Sequence, residues 1–180
     1  MESSRARAIK GVAAVFDRYH LIAASQKFAG FDLHLMQTLR IVDAAESGMV
    51  EFELCMEERY TNLNGVMHGG AAGVIFDMCT TTALGPLARP GYWDFMGGVT
   101  RTLNISYLRA IPIGTTVRVR GDVTQAGRTM AMIRGTMSSV DGKTVYCTCE
   151  HHKVSVPTQE QHLKYKIPWD ELWEADKAKL

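Results

Sequence analysis

The chain has 180 residues, 46% of them hydrophobic and 22% charged, with a formal net charge of +1. That length suits one domain with a real core plus terminal extensions. A near-neutral charge gives no electrostatic basis for nucleic-acid binding, and no apolar run reaches the roughly 20 residues that span a bilayer.

In chain order, residues 3–28 predict a helix, because Ile9, Val12, Ala13, Phe16, Tyr19 and His20 recur at three- and four-residue steps. Arg5, Arg7 and Lys10 give its start a basic bias that also leaves a mitochondrial presequence open, although an amphipathic first helix is the preferred reading. Phe31 to Val42 and Met49 to Glu57 read as two strands joined by the turn-like 43–48 segment, with Leu39, Ile41, Phe52 and Leu54 on buried faces. Gly70 to Leu84 is the one strongly buried helix, punctuated by Gly85-Pro86. An aromatic loop with Tyr92, Trp93 and Phe95 follows, to line a pocket or pack at an interface. Strands are expected at roughly 95–108, 115–125, 128–140 and 143–156, and a short helix at Ile167–Trp173 with Pro168 early in it. One long helix against an antiparallel meander is an α+β layer arrangement. Residues 1–30 form an N-terminal helical extension, 31–156 the main domain and 157–180 a C-terminal tail.

Two features of the buried helix carry chemistry. Gly69-Gly70 at its start offers bare backbone N–H groups where the helix dipole adds partial positive charge, which suits an oxyanion. Asp77 is a single acid in an otherwise oily helix, costly unless paired, hydrogen-bonded or functional. Together they suggest acyl-transfer chemistry. Cys147, Cys149 and His151 share a strand face at period two, but same-face neighbours splay apart, so small buried residues are preferred over zinc. The four cysteines, Cys55 included, fall short of a disulfide framework, and a reducing, cytoplasmic setting is expected.

The pattern Asn62-x-x-Gly65-x-x-His68-Gly69-Gly70, then Asp77, then Gly98-Val99-Thr100 and Asn104-Ile105-Ser106-Tyr107-Leu108 resembles the hotdog-fold acyl-CoA thioesterases. The subgroup is that of the phenylacetate-pathway and mammalian thioesterase-superfamily-member enzymes. The resemblance covers about residues 33–156. It implies a long central helix wrapped by a curved antiparallel sheet, and homo-oligomers built as a dimer or a dimer of dimers. It also implies hydrolysis of an acyl-CoA in which coenzyme A is part of the substrate and no metal or redox cofactor is needed.

On this reading the Gly69 N–H, joined by that of Gly70, stabilises the oxyanion, and Asp77 acts as general base or nucleophile. By the resemblance, Asn62 holds water or the thioester carbonyl, Thr100 stands where a serine positions the water, and His68 orients the loop or touches the thioester. Each position keeps a structural alternative: a tight helix entry at the glycines, a capping acid at Asp77, a hydrogen-bonder at His68, a turn former at Asn62, strand filler at Thr100. Gly69 and Asp77 are eight residues apart, or about 12 Å on one helix, too far to serve one carbonyl. The site is therefore expected to combine Gly69 and Asn62 of one protomer with Asp77 and Thr100 of another. For the phosphates of CoA the candidates are Arg128, His152 and Lys153, with Arg101 and Arg109 further options and solvated charges the alternative. Two rival functions are a hotdog β-hydroxyacyl dehydratase or hydratase using His68 with a carboxylate, and a noncatalytic acyl-CoA-binding module.

Overall fold

The computed structural model describes residues 2–94 and 96–171. Helix α1 (Ser4–Gln26) is capped at its start by the Ser3 hydroxyl, which accepts from the Ala6 N–H. A short helix α2 (Leu33–Thr38) follows, then strands β1 (Arg40–Ala45) and β2 (Met49–Cys55), helix α3 (Gly69–Thr82), and strands β3 (Val99–Tyr107), β4 (Thr116–Ala126), β5 (Met130–Ser139) and β6 (Val145–Val154). The strands form one antiparallel sheet in the order β1-β2-β4-β5-β6-β3. The α+β architecture is the expected one.

Alternation along the strands sets what the sheet presents to α3. Val50, Phe52 and Leu54, Val117 and Val119, Ala131, Ile133 and Met137, and Cys147 and Cys149 are all buried in one core with Ala83, Ile75, Phe76 and Cys79 of the α3 region. Each fully buried large side chain here, Phe76 for example, contributes about 1.5–3 kcal/mol of hydrophobic stabilisation. Glycines let the two layers close. A Cβ at Gly135 would lie 2.5 Å from the Cys149 sulfur and 2.8 Å from Phe76 Cδ1, and one at Gly121 would press on Thr80 Cα.

Helix α1 packs across the β1 edge and against the 3-10 turn at Gly85–Leu87, where Gly11 and Gly85 meet backbone to backbone. Phe16 stacks obliquely on Phe52. The C-terminal segment returns to the same helix: Ile167 and Trp169 are buried with Ala14, and Arg18 donates to Asp170 at 2.5 Å.

Several expectations need correction. The expected four-strand meander is three strands, β4-β5-β6, because β2 takes the edge of β4 and β3 pairs with β6 instead. The first half of the strand expected at Phe31–Val42 is α2, because Leu35 and Met36 bury with Leu39, four and three residues on, while Thr38 Oγ1 closes on the His34 carbonyl. The hairpin turn is correspondingly tighter, with β1 running to Ala45 and the Gly48 N–H donating to the Ala45 carbonyl. The aromatic loop is pinned inward: Trp93 Nε1 donates to the Gly127 carbonyl and Tyr92 Oη to that of Ala126. Phe95 lies outside the described residues. The expected C-terminal helix begins at Pro168, and residues 172–180 also lie outside them.

The tight contact at Gly135 yields a stability test. Gly135→Ala is expected to lower the unfolding free energy by about 1–3 kcal/mol, the usual cost of overpacking a filled core, measured by chemical denaturation.

Candidate active site

The approach to α3 is built by a compact turn. The Asn62 N–H donates to Val66, the Gly65 N–H to Asn62, and Gly65 has φ +70, where glycine is at ease. Asn62 Oδ1 accepts from the Asn64 N–H in an Asx turn. Asn62 is therefore a turn former, yet its donor end, Nδ2, is left over and the residue lines one cavity with His68 and Gly69. The His68 N–H is held by the Tyr60 carbonyl, which fixes the entry into the helix.

His68 is the helix N-cap. Its Nδ1 accepts from the Gly70 N–H at 2.9 Å. This corrects the pairing of the two glycines, since the Gly70 N–H is engaged by the cap and, of the two, the Gly69 N–H at the first helical position is the one left for a ligand. The Gly69 carbonyl accepts from Tyr107 Oη at 2.7 Å, tying the helix start to the end of β3.

Two turns further along α3, Asp77 emerges half-buried into a second cavity, shared with Thr100, Gly70, Gly73 and Val74. Thr100 Oγ1 donates to Asp77 Oδ1 at 2.6 Å. Behind this pair lies His151, fully buried, with Nε2 at 2.9 Å from Thr100 Oγ1 and 3.3 Å from Asp77 Oδ1. Its Nδ1 is 2.6 Å from Thr80 Oγ1. With Thr100 donating to the carboxylate, the threonine oxygen must receive a proton from Nε2–H. The neutral ring that serves this contact is the Nε2–H tautomer, and the Thr80 hydroxyl beside Nδ1 donates to the Phe76 carbonyl at 2.6 Å.

Electrostatics favour that neutral ring. Burial, then the nearby ammonium of Lys153 and the imidazole of His152, hold His151 down to about 4, against the opposing pull of Asp77. Lys153 is itself buried, lowered to about 8 by desolvation, and its Nζ donates to Thr81 Oγ1. The thiols of Cys147 and Cys149 are pushed up to about 12 by burial, which keeps them protonated and inert. Among the described residues no group of three or more histidines, cysteines or acids is placed to hold a metal ion.

The candidates for phosphate contact do not gather. His152 and Lys153 are neighbours on β6 and so face opposite sides of the sheet, His152 outward and Lys153 beneath α3. Arg128 is exposed in the β4–β5 turn and lines a third cavity with Thr129 and Ser155. Arg101 and Arg109 are exposed on and after β3. The residue that sequence reasoning missed is His151, read there only as one of a row of small buried groups. The available signal was the pattern His151-x-Lys153 on an inward face, two ionisable groups where a core strand calls for apolar ones.

A sequence profile of the thioesterase superfamily matches residues 64–146, which hold the helix start, Asp77, Thr100 and most of the sheet. Acyl-coenzyme A thioesterase 13 of mouse is 30% identical over 105 residues, covering 58% of this chain and 70% of that protein. The crystal structure of zebrafish thioesterase superfamily member 2 is similar with a TM-score of 0.63 at 27% identity, covering 75% of this chain and 93% of that one. A Streptococcus pneumoniae thioesterase protein solved with coenzyme A shares the fold, with a TM-score of 0.58 at 20% identity over 68% of this chain and 90% of that one. The chain belongs to the thioesterase superfamily and has its hotdog fold, with α3 as the central helix.

Burying a neutral histidine has a pH signature. Its folded pKa lies below the unfolded value of 6.5, so between 6.5 and about 4 the unfolded chain binds the extra proton and stability falls as pH falls. The full loss across that window is expected to be about 3 kcal/mol. His151→Gln is expected to flatten that slope, read from denaturant unfolding at pH 7 and at pH 4.5.

Proposed function

We propose that this chain hydrolyses acyl-CoA thioesters at sites shared between two protomers. The observation that carries the reading is the division of the chemistry between two cavities. The oxyanion donors, Gly69 N–H and Asn62 Nδ2, stand at the start of α3, and the Asp77–Thr100 pair stands eight residues on, about 12 Å along a rigid helix. No single carbonyl reaches both. A two-fold axis that sets two α3 helices antiparallel brings the start of one beside the middle of the other, giving two composite sites. The open edge of β3 supports such a dimer: among the described residues it pairs only with β6 and leaves Val99, Tyr107 and the adjoining Leu108 exposed.

In the reaction, the Asp77 carboxylate takes a proton from water as the water oxygen attacks the thioester carbon. The charge that develops on the carbonyl oxygen is met by the Gly69 N–H and Asn62 of the facing protomer. Collapse of this intermediate breaks the C–S bond, and the proton held by Asp77 passes to the departing thiolate. Thr100 keeps one carboxylate oxygen oriented and leaves the other for the water, while His151 orients Thr100. His68 supports the helix start by capping it. Arg128 is the exposed cation proposed to meet a phosphate of CoA.

The mouse relative's name as an acyl-coenzyme A thioesterase supports the substrate class. The dehydratase alternative needs an imidazole converging with a carboxylate on substrate. Here the imidazole beside Asp77 is fully buried behind Thr100, and His68 Nδ1 is occupied by the helix cap.

Asp77→Ala is expected to cut thiol release from acyl-CoA by about 10²-fold or more, with the fold retained. Wild-type rates in that variant would remove Asp77 from the mechanism, and intact acyl-CoA held by an inactive wild type would favour the binding module. Mixing Asn62→Ala and Asp77→Ala chains under subunit exchange is expected to restore part of the activity, because one composite site of each mixed dimer is whole. Absence of recovery despite demonstrated exchange would refute the shared site.

A further inference from the structure

The connection from α1 to α2 holds an aromatic ring beside the site. Phe31 is 82% exposed, yet the backbone on either side of it is firmly placed. Lys27 closes α1 in the left-handed conformation and the Phe28 N–H donates to Ala23. The Phe28 ring meets Tyr19 edge-on, over Gly30, where a Cβ would lie 2.0 Å from the Phe28 ring. The Leu33 N–H then donates to Gly30, and α2 is anchored by buried Leu35 and Met36 and by His34 on Glu57. Neighbouring contacts thus dictate where Phe31 stands, while its own ring is left uncovered.

Opposite this ring runs the outer face of α3. A cavity of about 370 Å³ reaches from Phe31 past Gly73, Val74 and Met78 to Asp77 and Thr100. Another of about 560 Å³ reaches from Phe31 past Val74 and Ala71 to His68. Phe31, Gly70 and Val74 line both, so they form one trough along α3 that joins the two half-sites of a protomer, each completed by the partner in the shared arrangement, with Phe31 as the common wall. Its floor is open at Gly73, where a Cβ would touch only Ile105 Cδ1, at 4.0 Å. The walls beside the reacting groups are apolar, and the charged groups that line this part of the trough, Asp32 and Asp77, are both acids. This part of the trough accepts a hydrocarbon tail, while the one arginine lining the trough, Arg59, stands at the other end beside His68.

We propose that Phe31 is a specificity-determining residue, a wall contributed from ahead of the family-matched region that holds the hydrocarbon tail of the acyl group and favours longer chains over short ones. This rests on the acyl-CoA reading above and deepens it. The ring gains apolar contact only when a chain long enough to pass the carbonyl site lies against it, so the discrimination grows with chain length.

The test is a comparison of wild type, Phe31→Ala and Gly73→Leu on acetyl-, octanoyl- and dodecanoyl-CoA, alongside the affinities of the non-hydrolysable S-methyl and S-dodecyl thioethers of CoA. Phe31→Ala is expected to lower kcat/KM for dodecanoyl-CoA about tenfold while changing acetyl-CoA less than about twofold. Gly73→Leu, filling the floor, is expected to reject the long chain more strongly, and the dodecyl thioether to lose affinity in parallel. If wild type releases no thiol but Phe31→Ala weakens the dodecyl thioether alone, hydrolysis fails and Phe31 stands. Equal losses at every chain length, or no change in either measurement, overturn the proposal. So does a shift of Phe31→Ala to monomer in sedimentation with selectivity unchanged, which would place the ring in the protomer interface.

Discussion

The close seating of α3 on the inner face of the sheet is the constraint from which the remainder follows. Phe76 reaches the strands only because Gly135 has no side chain, and Thr80 only because Gly121 has none. Brought this near, the helix can share hydrogen bonds with strand side chains as well as hydrophobic contact, and Thr80, Thr81 and Asp77 do so with His151, Lys153 and Thr100. A looser layer would hold the same residues without connecting them. The cost is intolerance of added volume, since a filled interior has no slack for another methyl group.

Polar contacts then cross an otherwise oily core in a fixed order, from Thr80 through His151 and Thr100 to the carboxylate at the rim. The arrangement resolves the problem of an acid on a buried helix. Asp77 is half exposed, so its charge stays hydrated on one side, while Thr100 and His151 satisfy it on the other. The interior end is kept neutral by burial and by a lysine on the same strand face.

The segments outside the family-matched region stiffen the domain and shape its surface. Helix α1 covers the β1 edge, and the chain's far end packs back onto α1 through Arg18 and Asp170. Among the described residues no helix covers the opposite edge, β3. The asymmetry leaves one side of the sheet available for a second copy and places the α1–α2 connection over the trough along α3.

Composition and periodicity determined a good deal by themselves. The helices at the N-terminus and at Gly70, the four later strands and the α+β class follow from residue spacing, because burial of alternating or three-to-four-spaced apolar residues has few solutions, whereas the placing of β3 beside β6 does not. Gly69 and Asp77 stood out from residue type and order, Asn62 and Thr100 through the family resemblance, and the separation of Gly69 from Asp77 follows from helical rise alone. Tertiary structure decided the partners. Whether Phe31–Thr38 became strand or helix depended on what Leu35 and Met36 could bury against. The use of the Gly70 N–H depended on the rotamer of His68, and the opposite fates of His152 and Lys153 on which strand face met α3. His151 reaches Asp77 from 74 positions along the chain through the pairing of β3 with β6. No local pattern encodes such a contact, because register and layer packing, which depend on the whole core at once, bring the two side chains together.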